Sequence, residues 1–323
     1  MKAVVYTRYG PPDVLQLKDI GKPVPGPNEI LVKVHAATVN RTDNATIKAI
    51  PFFARIVTGL VKPKRTTPGT EFAGEVEAIG AAVTTLKVGD RVFGFDDQGS
   101  RAQAEYLAIR EDFATTIPGD ISFEQAAAGC EGAHYARNFI NKVEIEPGQN
   151  VLVYGASGAI GSAMVQLLKA MQVNVTAVCG ARNVELVRSL GADRVIEYTS
   201  QDYRRDSQRF DYVFDAVGKT SFFQCRHLLN PGGAYISSDL GYLAQNMYLP
   251  LLTSIFRSLL GGKHTVFPFP TDIPATLALV KKLMQEERFK PVIDRRYPFS
   301  QIVEAYRYVE KGHKTGNVVI TMI

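Results

Sequence analysis

Cysteine is scarce in this sequence, and what there is does not pair. Of the 323 residues only three are cysteines, Cys130, Cys179 and Cys225, an odd number with no C-x-x-C spacing. That argues against a disulfide framework and places the chain in a reducing compartment, the cytoplasm. No run of about 20 apolar residues is present, so no segment reads as a membrane span. The oiliest stretch, residues 247–260, is interrupted by Pro250, Thr253, Arg257 and Ser258. The first residues, 1–6, read as the start of a strand, without the apolar core of a cleavable leader. There is no internal repeat and no low-complexity segment. A basic stripe with interleaved aromatics is also missing. The 37 Lys and Arg exceed the 32 Asp and Glu by only five, and they are scattered. Nucleic-acid binding is therefore not expected. A mild basic bias does suit a ligand carrying several phosphate charges.

What is present is enough apolar material for two domains, 46% of residues against 21% charged. The first third carries short β patterns broken by Gly and Pro, at residues 30–36, 72–79 and 88–94, and reads as a small, mainly β, barrel-like domain. From Ser122, an N-cap with Glu124 and Gln125 behind it, the pattern changes. Strands at 151–154, 173–179, 195–196, 212–215 and 234–238 alternate with helices at 160–171 and 184–190. That alternation predicts a parallel sheet covered on both faces, an α/β fold. A helix at 273–286 and a strand at 317–322 are expected to return to the first domain. The nucleotide domain would then be an insertion, with a cleft beside it.

The sharpest local signal runs from Val151 to Gly161, VLVYGASGAIG. A strand enters a turn of small residues and leaves as a helix. Gly155 and Ala156 allow the turn, Gly158 lets backbone approach a pyrophosphate, and Gly161 lets the helix pack on the sheet. The helix N-terminus then offers N–H groups to phosphate. Ala156 stands where a strict G-x-G-x-x-G has Gly. Ala156, Ser157, Gly158, Ala159 and Ile160 are the expected cofactor contacts of this turn. The next strand ends Cys179-Gly180-Ala181-Arg182 without the acid that would bind a ribose 2′-hydroxyl. Gly180, Arg182, as partner of a 2′-phosphate, and Tyr198 after the third strand point to NADP(H) rather than NAD(H). A plain exposed helix start is the other reading of Arg182.

Several motifs in order then resemble one family. They are Met1-Lys2-Ala3-Val4-Val5, Val39-Asn40-Arg41-Thr42-Asp43, Pro68-Gly69-Thr70-Glu71-Phe72-Ala73-Gly74 and Val88-Gly89-Asp90-Arg91-Val92. The cofactor turn, Leu190-Gly191-Ala192-Asp193, Asp215-Ala216-Val217-Gly218 and Lys314-Thr315-Gly316-Asn317-Val318-Val319 follow. End to end, the chain resembles the medium-chain dehydrogenase/reductase superfamily, in its zinc-independent quinone oxidoreductase-like branch. The resemblance implies a GroES-like β-barrel catalytic domain, residues 1–122 and 266–323, and an inserted Rossmann NADP-binding domain, residues 123–265. It also implies a homodimer.

No metal is expected. The resemblance puts Asn40-Arg41-Thr42-Asp43 where zinc-dependent members have a Cys, and Thr70 where they have a His. Cys130 alone lies near a third ligand position, and one thiolate cannot close a site that needs three protein ligands. Without metal, oriented donors must stabilise the substrate oxygen. By resemblance Asn40 and Asp43 are the catalytic candidates, Asn40 as donor and Asp43 as a nearby acid that orients a neighbour or a loop. Asp239, Leu240, Phe267, Phe269 and Asn317 are second-tier cofactor contacts. Ala45 stands where quinone reductases often have Tyr, and Arg41 faces either a polar substrate or solvent. His134 and His264 read as structural. Residues 47–64, with Phe52 and Phe53, and residues 247–260 with Tyr242 would line a lipophilic pocket or a dimer contact. The function these features imply is NADPH-dependent reduction of a quinone or an activated alkene, with a small lipophilic carbonyl or quinone as substrate. One-electron quinone reduction is a second chemistry, and a nonenzymatic NADPH-binding sensor or structural protein is the alternative of a different class.

Overall fold

The computed structural model describes residues 1–52, 55–97 and 101–322. Phe53 lies outside them. The chain forms two compact units, Met1–Glu131 with Asp272–Ile323, and Gly132–Thr271. The first therefore runs past residue 122 to Glu131, and the second past 265 to Thr271.

The first unit is built on one long strand, Glu29–Val39, whose inward residues are β-branched or small. Glu71–Ile79 pairs along one side of it. Its other side is shared, Tyr106–Arg110 pairing with residues 29–33 and Asn317–Thr321 with residues 36–39. Arg91–Phe95, Ala114–Thr116 and Ile293–Pro298 extend this seven-stranded sheet. Two clusters fill it. One gathers Ile30, Val32, Phe72, Val92, Leu107 and Ile109. The other gathers Val4, Ile47, Ile302, Tyr306, Val318 and Ile320. The helix Ile302–Glu310 buries Ile302, Ala305, Tyr306 and Val309, the i, i+3, i+4, i+7 spacing of one helix face. The long strand ends at Val39, and the next residue, Asn40, caps the helix Arg41–Lys48.

The second unit is a six-stranded sheet, β1 (Asn150–Tyr154), β2 (Asn174–Cys179), β3 (Arg194–Glu197), β4 (Phe210–Asp215), β5 (Leu229–Ser237) and β6 (His264–Val266). All pairs are parallel, in the order β3-β2-β1-β4-β5-β6. This is the Rossmann order. The chain reverses direction across the sheet between β1 and β4, so the loops at the C-terminal ends of those strands frame a crevice. The helix Ala159–Ala170 follows β1 and is buried from Gly161 to Leu168. Residues 245–255 form a helix with Pro250 inside it. Asn246, Leu249 and Thr253 are its buried residues. Among the described residues no helix is long and apolar enough to cross a membrane.

Candidate active site

In the second unit, the turn after β1 is built by exclusion of side chains. Gly155 has φ +81°, and a Cβ there would stand 1.9 Å from Cγ2 of Val217 in the loop after β4. A Cβ on Gly161 would stand 2.2 Å from the Gly155 carbonyl oxygen, so helix and turn touch backbone to backbone. At Gly158, the N-cap, a Cβ would find only the Gly155 oxygen at 3.7 Å. This face of the turn is open. No side chain caps the helix, which leaves first-turn N–H groups for an anion. Ser157, Gly158 and Ile160 are half-buried around that opening, while Ala156 and Ala159 pack beneath it.

The neighbouring strand ends complete the rim. A Cβ on Gly180, after β2, would lie 3.4 Å from the Tyr198 hydroxyl oxygen, after β3. Arg182 stands exposed two residues beyond Gly180. Gly180 and Tyr198 are thus neighbours. Asp239, after β5, packs on Gly218, where a Cβ would meet its Cγ at 2.2 Å. Leu240 follows, half-buried. Phe267 and Phe269, beyond β6, pack against each other with ring planes tilted by 57° and centroids 4.8 Å apart. Asn317 belongs to the first unit, where its amide donates to the Val292 carbonyl oxygen at 3.1 Å.

One anchor of this rim entered the sequence reading only as part of a motif, with no role given to it. Asp215 is fully buried at the end of β4 and accepts from the N–H groups of Val217 and Gly218 at 3.0 and 2.8 Å. The Tyr235 hydroxyl donates to the same carboxylate at 2.9 Å. Burial pushes the acid's pKa up, and the backbone donors work against that rise. The Asp-x-x-Gly spacing was the available signal, an acid turned back on its own loop.

The first unit holds a buried polar cluster around Asn40. Asn40 and Asp43 form a capping box: the Asn40 oxygen accepts from the Asp43 N–H at 2.8 Å, and the Asp43 carboxylate from the Asn40 N–H at 3.1 Å. The Asn40 amide also donates to the Thr70 hydroxyl at 2.7 Å, and the Asn40 side chain helps to stabilise the Glu71 charge. Glu71 further accepts from the Thr38 hydroxyl and, at 2.6 Å, from the Glu131 N–H. Glu131 accepts from the Thr42 hydroxyl at 2.7 Å. Gln103 reaches Asp43 at 3.4 Å and takes a bond from Tyr306 at 2.9 Å.

Desolvation dominates the charges here. It raises Asp43 to about 8 and Glu131 to about 8, with the Glu71 charge adding to both. Glu71 is raised by burial and relieved by the Thr38 hydroxyl. Burial also lowers Lys314, while Glu131 and Glu71 act to raise it. Glu71, Glu131 and Lys314 were not recognised in the sequence as one group, because residues far apart along the chain give no joint pattern. Burial raises the Cys130 thiol well above its usual range, and its sulfur donates weakly to the Ala126 carbonyl oxygen. Among the described residues no group of three or more His, Cys, Asp or Glu is arranged to hold a metal.

Comparisons with known proteins agree with this architecture. Residues 26–119 match the family model of the alcohol dehydrogenase GroES-like domain, and residues 190–320 one described as zinc-binding dehydrogenase. The chain is 30% identical to a chloroplastic quinone-oxidoreductase homolog of Spinacia oleracea, covering 99% of this chain and 98% of that one. It is 31% identical to a chloroplastic NADPH-dependent alkenal/one oxidoreductase of Arabidopsis thaliana, covering 99% and 79%. Among solved structures, the quinone oxidoreductase from Coxiella burnetii superposes with a TM-score of 0.87 at 27% identity, covering 100% and 99%.

Proposed function

Because the chain belongs to the medium-chain dehydrogenase/reductase superfamily, in its quinone oxidoreductase-like branch, we propose that it is an NADPH-dependent reductase of quinones or activated alkenes that works without zinc. The observation that carries the reading is the turn after β1. Its open face at Gly158 and uncapped helix N-terminus fit a pyrophosphate, and the neighbouring strand is followed by Arg182 with no acid. When bound, NADPH supplies the hydride. Ser157, Gly158 and Ile160 would hold the pyrophosphate, and Arg182 with Tyr198 the 2′-phosphate. Asp215 fixes the Val217–Gly218 loop against which the turn is locked.

The residues present do not fit zinc. An amide and a hydroxyl occupy positions 40 and 70 and bond to each other at 2.7 Å. Cys130 is the one thiol beside them, and one thiolate cannot close a site that needs three protein ligands. Charge on the substrate oxygen must then be met by hydrogen-bond donors of the chain. The proton that completes the reduction comes from solvent. The relatives named for quinones and for alkenals or enones support this substrate class.

The test is NADPH oxidation with EDTA present, against a panel of enones and ortho-quinones. Turnover should survive the chelator and favour NADPH over NADH. Arg182→Ala should cut that preference roughly tenfold by raising KM for NADPH while leaving NADH unaffected, as expected for one lost contact to a phosphate. An unchanged preference would remove Arg182 from the reading. Tight NADPH binding with no turnover on any acceptor would favour a nonenzymatic binding protein instead.

A further inference from the structure

Resting on the reductase reading, we propose that Thr70 is the donor that holds the substrate oxygen, and that Asn40 acts only by positioning it. The argument is a count of hydrogen bonds. An Asn side chain has one acceptor oxygen and two N–H donors. In Asn40 the oxygen accepts from the Asp43 N–H, the amide nitrogen donates to Thr70, and the same side chain helps to stabilise the Glu71 charge. Asn40 is 2% exposed, so no solvent-facing donor remains. It is spent inside the protein.

The hydroxyls around it differ in one respect. Thr38 donates to Glu71, and Thr42 donates to Glu131. Thr70 instead accepts, from Asn40 at 2.7 Å, and its own proton has no acceptor among the described residues. It is 4% exposed. A buried donor without an acceptor is costly to keep, which points to a group that fills the place in another state of the protein. Accepting from Asn40 polarises the hydroxyl and strengthens it as a donor. Asn40 is itself fixed at the N-cap and by Glu71, so the direction of the Thr70 bond is set in advance.

In the reaction the hydride forms a C–H bond at the electrophilic β-carbon of the enone. The C=C electrons shift to form the enolate, whose charge gathers on oxygen. Thr70 donates a hydrogen bond to that oxygen and keeps its proton. A solvent proton then completes the C–H bond at the α-carbon. Quinone reduction places charge on an oxygen in the same way.

Thr70→Val keeps the shape and removes the donor. Its kcat should fall roughly 10²-fold, the cost of one lost oxyanion donor, with the Kd for NADPH unchanged. Thr70→Ser should recover most of the loss. A second readout needs no turnover: with NADP+ bound, the carbonyl stretch of a ¹³C-labelled enone should shift to lower frequency in the wild type and in Thr70→Ser, and should not shift in Thr70→Val. Thr70→Ala, which adds no methyl group against its neighbours, is read in parallel and should match Thr70→Val. Wild-type kcat together with a wild-type carbonyl shift in the Val and Ala variants would overturn the proposal. Failure of the reductase reading looks different: the wild type itself would consume no NADPH with any acceptor.

Discussion

Gly158→Ala should leave the melting temperature of the free protein within about 2 °C of wild type and weaken NADPH binding about tenfold or more. Gly161→Ala should instead lower the melting temperature itself, by about 5 °C. The two glycines lie three residues apart in one turn, yet the space around them differs. At Gly161 a methyl group would sit 2.2 Å from the Gly155 carbonyl oxygen and 2.8 Å from the Ala156 Cα, both backbone atoms that cannot swing aside. The helix would have to move off the turn. At Gly158 the backbone has φ −76° and ψ 175°, which alanine adopts freely, and a methyl group would have no protein neighbour closer than 3.7 Å. Only a ligand would feel it. Melting curves and a fluorescence titration with NADPH read the two effects separately. Equal NADPH affinity in Gly158→Ala and wild type would mean that the phosphates do not lie on this turn.

Lys314→Met should steepen the loss of stability with rising pH, and adding Glu131→Gln should reverse much of that change. Glu131 is raised from its ordinary 4.5 to about 8 by burial and by the Glu71 charge. An acid raised in the folded state binds more protons there than in the unfolded state. Its stabilising contribution is therefore complete below about pH 4.5 and is lost as pH climbs toward 8, at up to about 1.4 kcal/mol per pH unit per group. Lys314 lowers both Glu131 and Glu71. Removing its charge pushes both acids higher and widens the window. At pH 8 the Met variant should be less stable by about 2 kcal/mol, whereas at pH 5, where Glu131 is protonated, the difference from wild type should be smaller. Glu131→Gln keeps an oxygen for the Thr42 hydroxyl and removes one titrating group. Melting temperatures from pH 5 to 8 across the two single variants and the double variant give the coupling. Parallel curves for Lys314→Met and wild type would show that Lys314 does not face the acids.

Much of the second unit could be read from local pattern alone. Strand, small-residue turn and apolar helix follow one another within residues 150–170, and each element declares its period or its breaker. The helix 245–255 was not assigned in the sequence, where Pro250 counted only against a membrane span, and the packing that holds it is not local. The first unit was less legible for the same reason. Asn40 and Asp43 stood out as a motif, but what they do depends on partners far along the chain, Thr70, Glu71 and Gln103. Sequence suggests an amide ready to donate to a substrate. In the structure that amide donates to Thr70, the hydroxyl proposed above as the donor to substrate. Burial works in a similar way on Glu131 and Lys314, ordinary surface residue types until the fold encloses them.

The central claim is that this chain moves a hydride from NADPH to carbon or oxygen of an electrophilic substrate. The most direct measurement uses NADPH deuterated at C4, each face in turn, with a simple enone and EDTA present. Mass spectrometry of the saturated product should find deuterium at the β-carbon from one of the two faces only. Product without deuterium from either face, or NADPH that is bound and never consumed, would contradict the account.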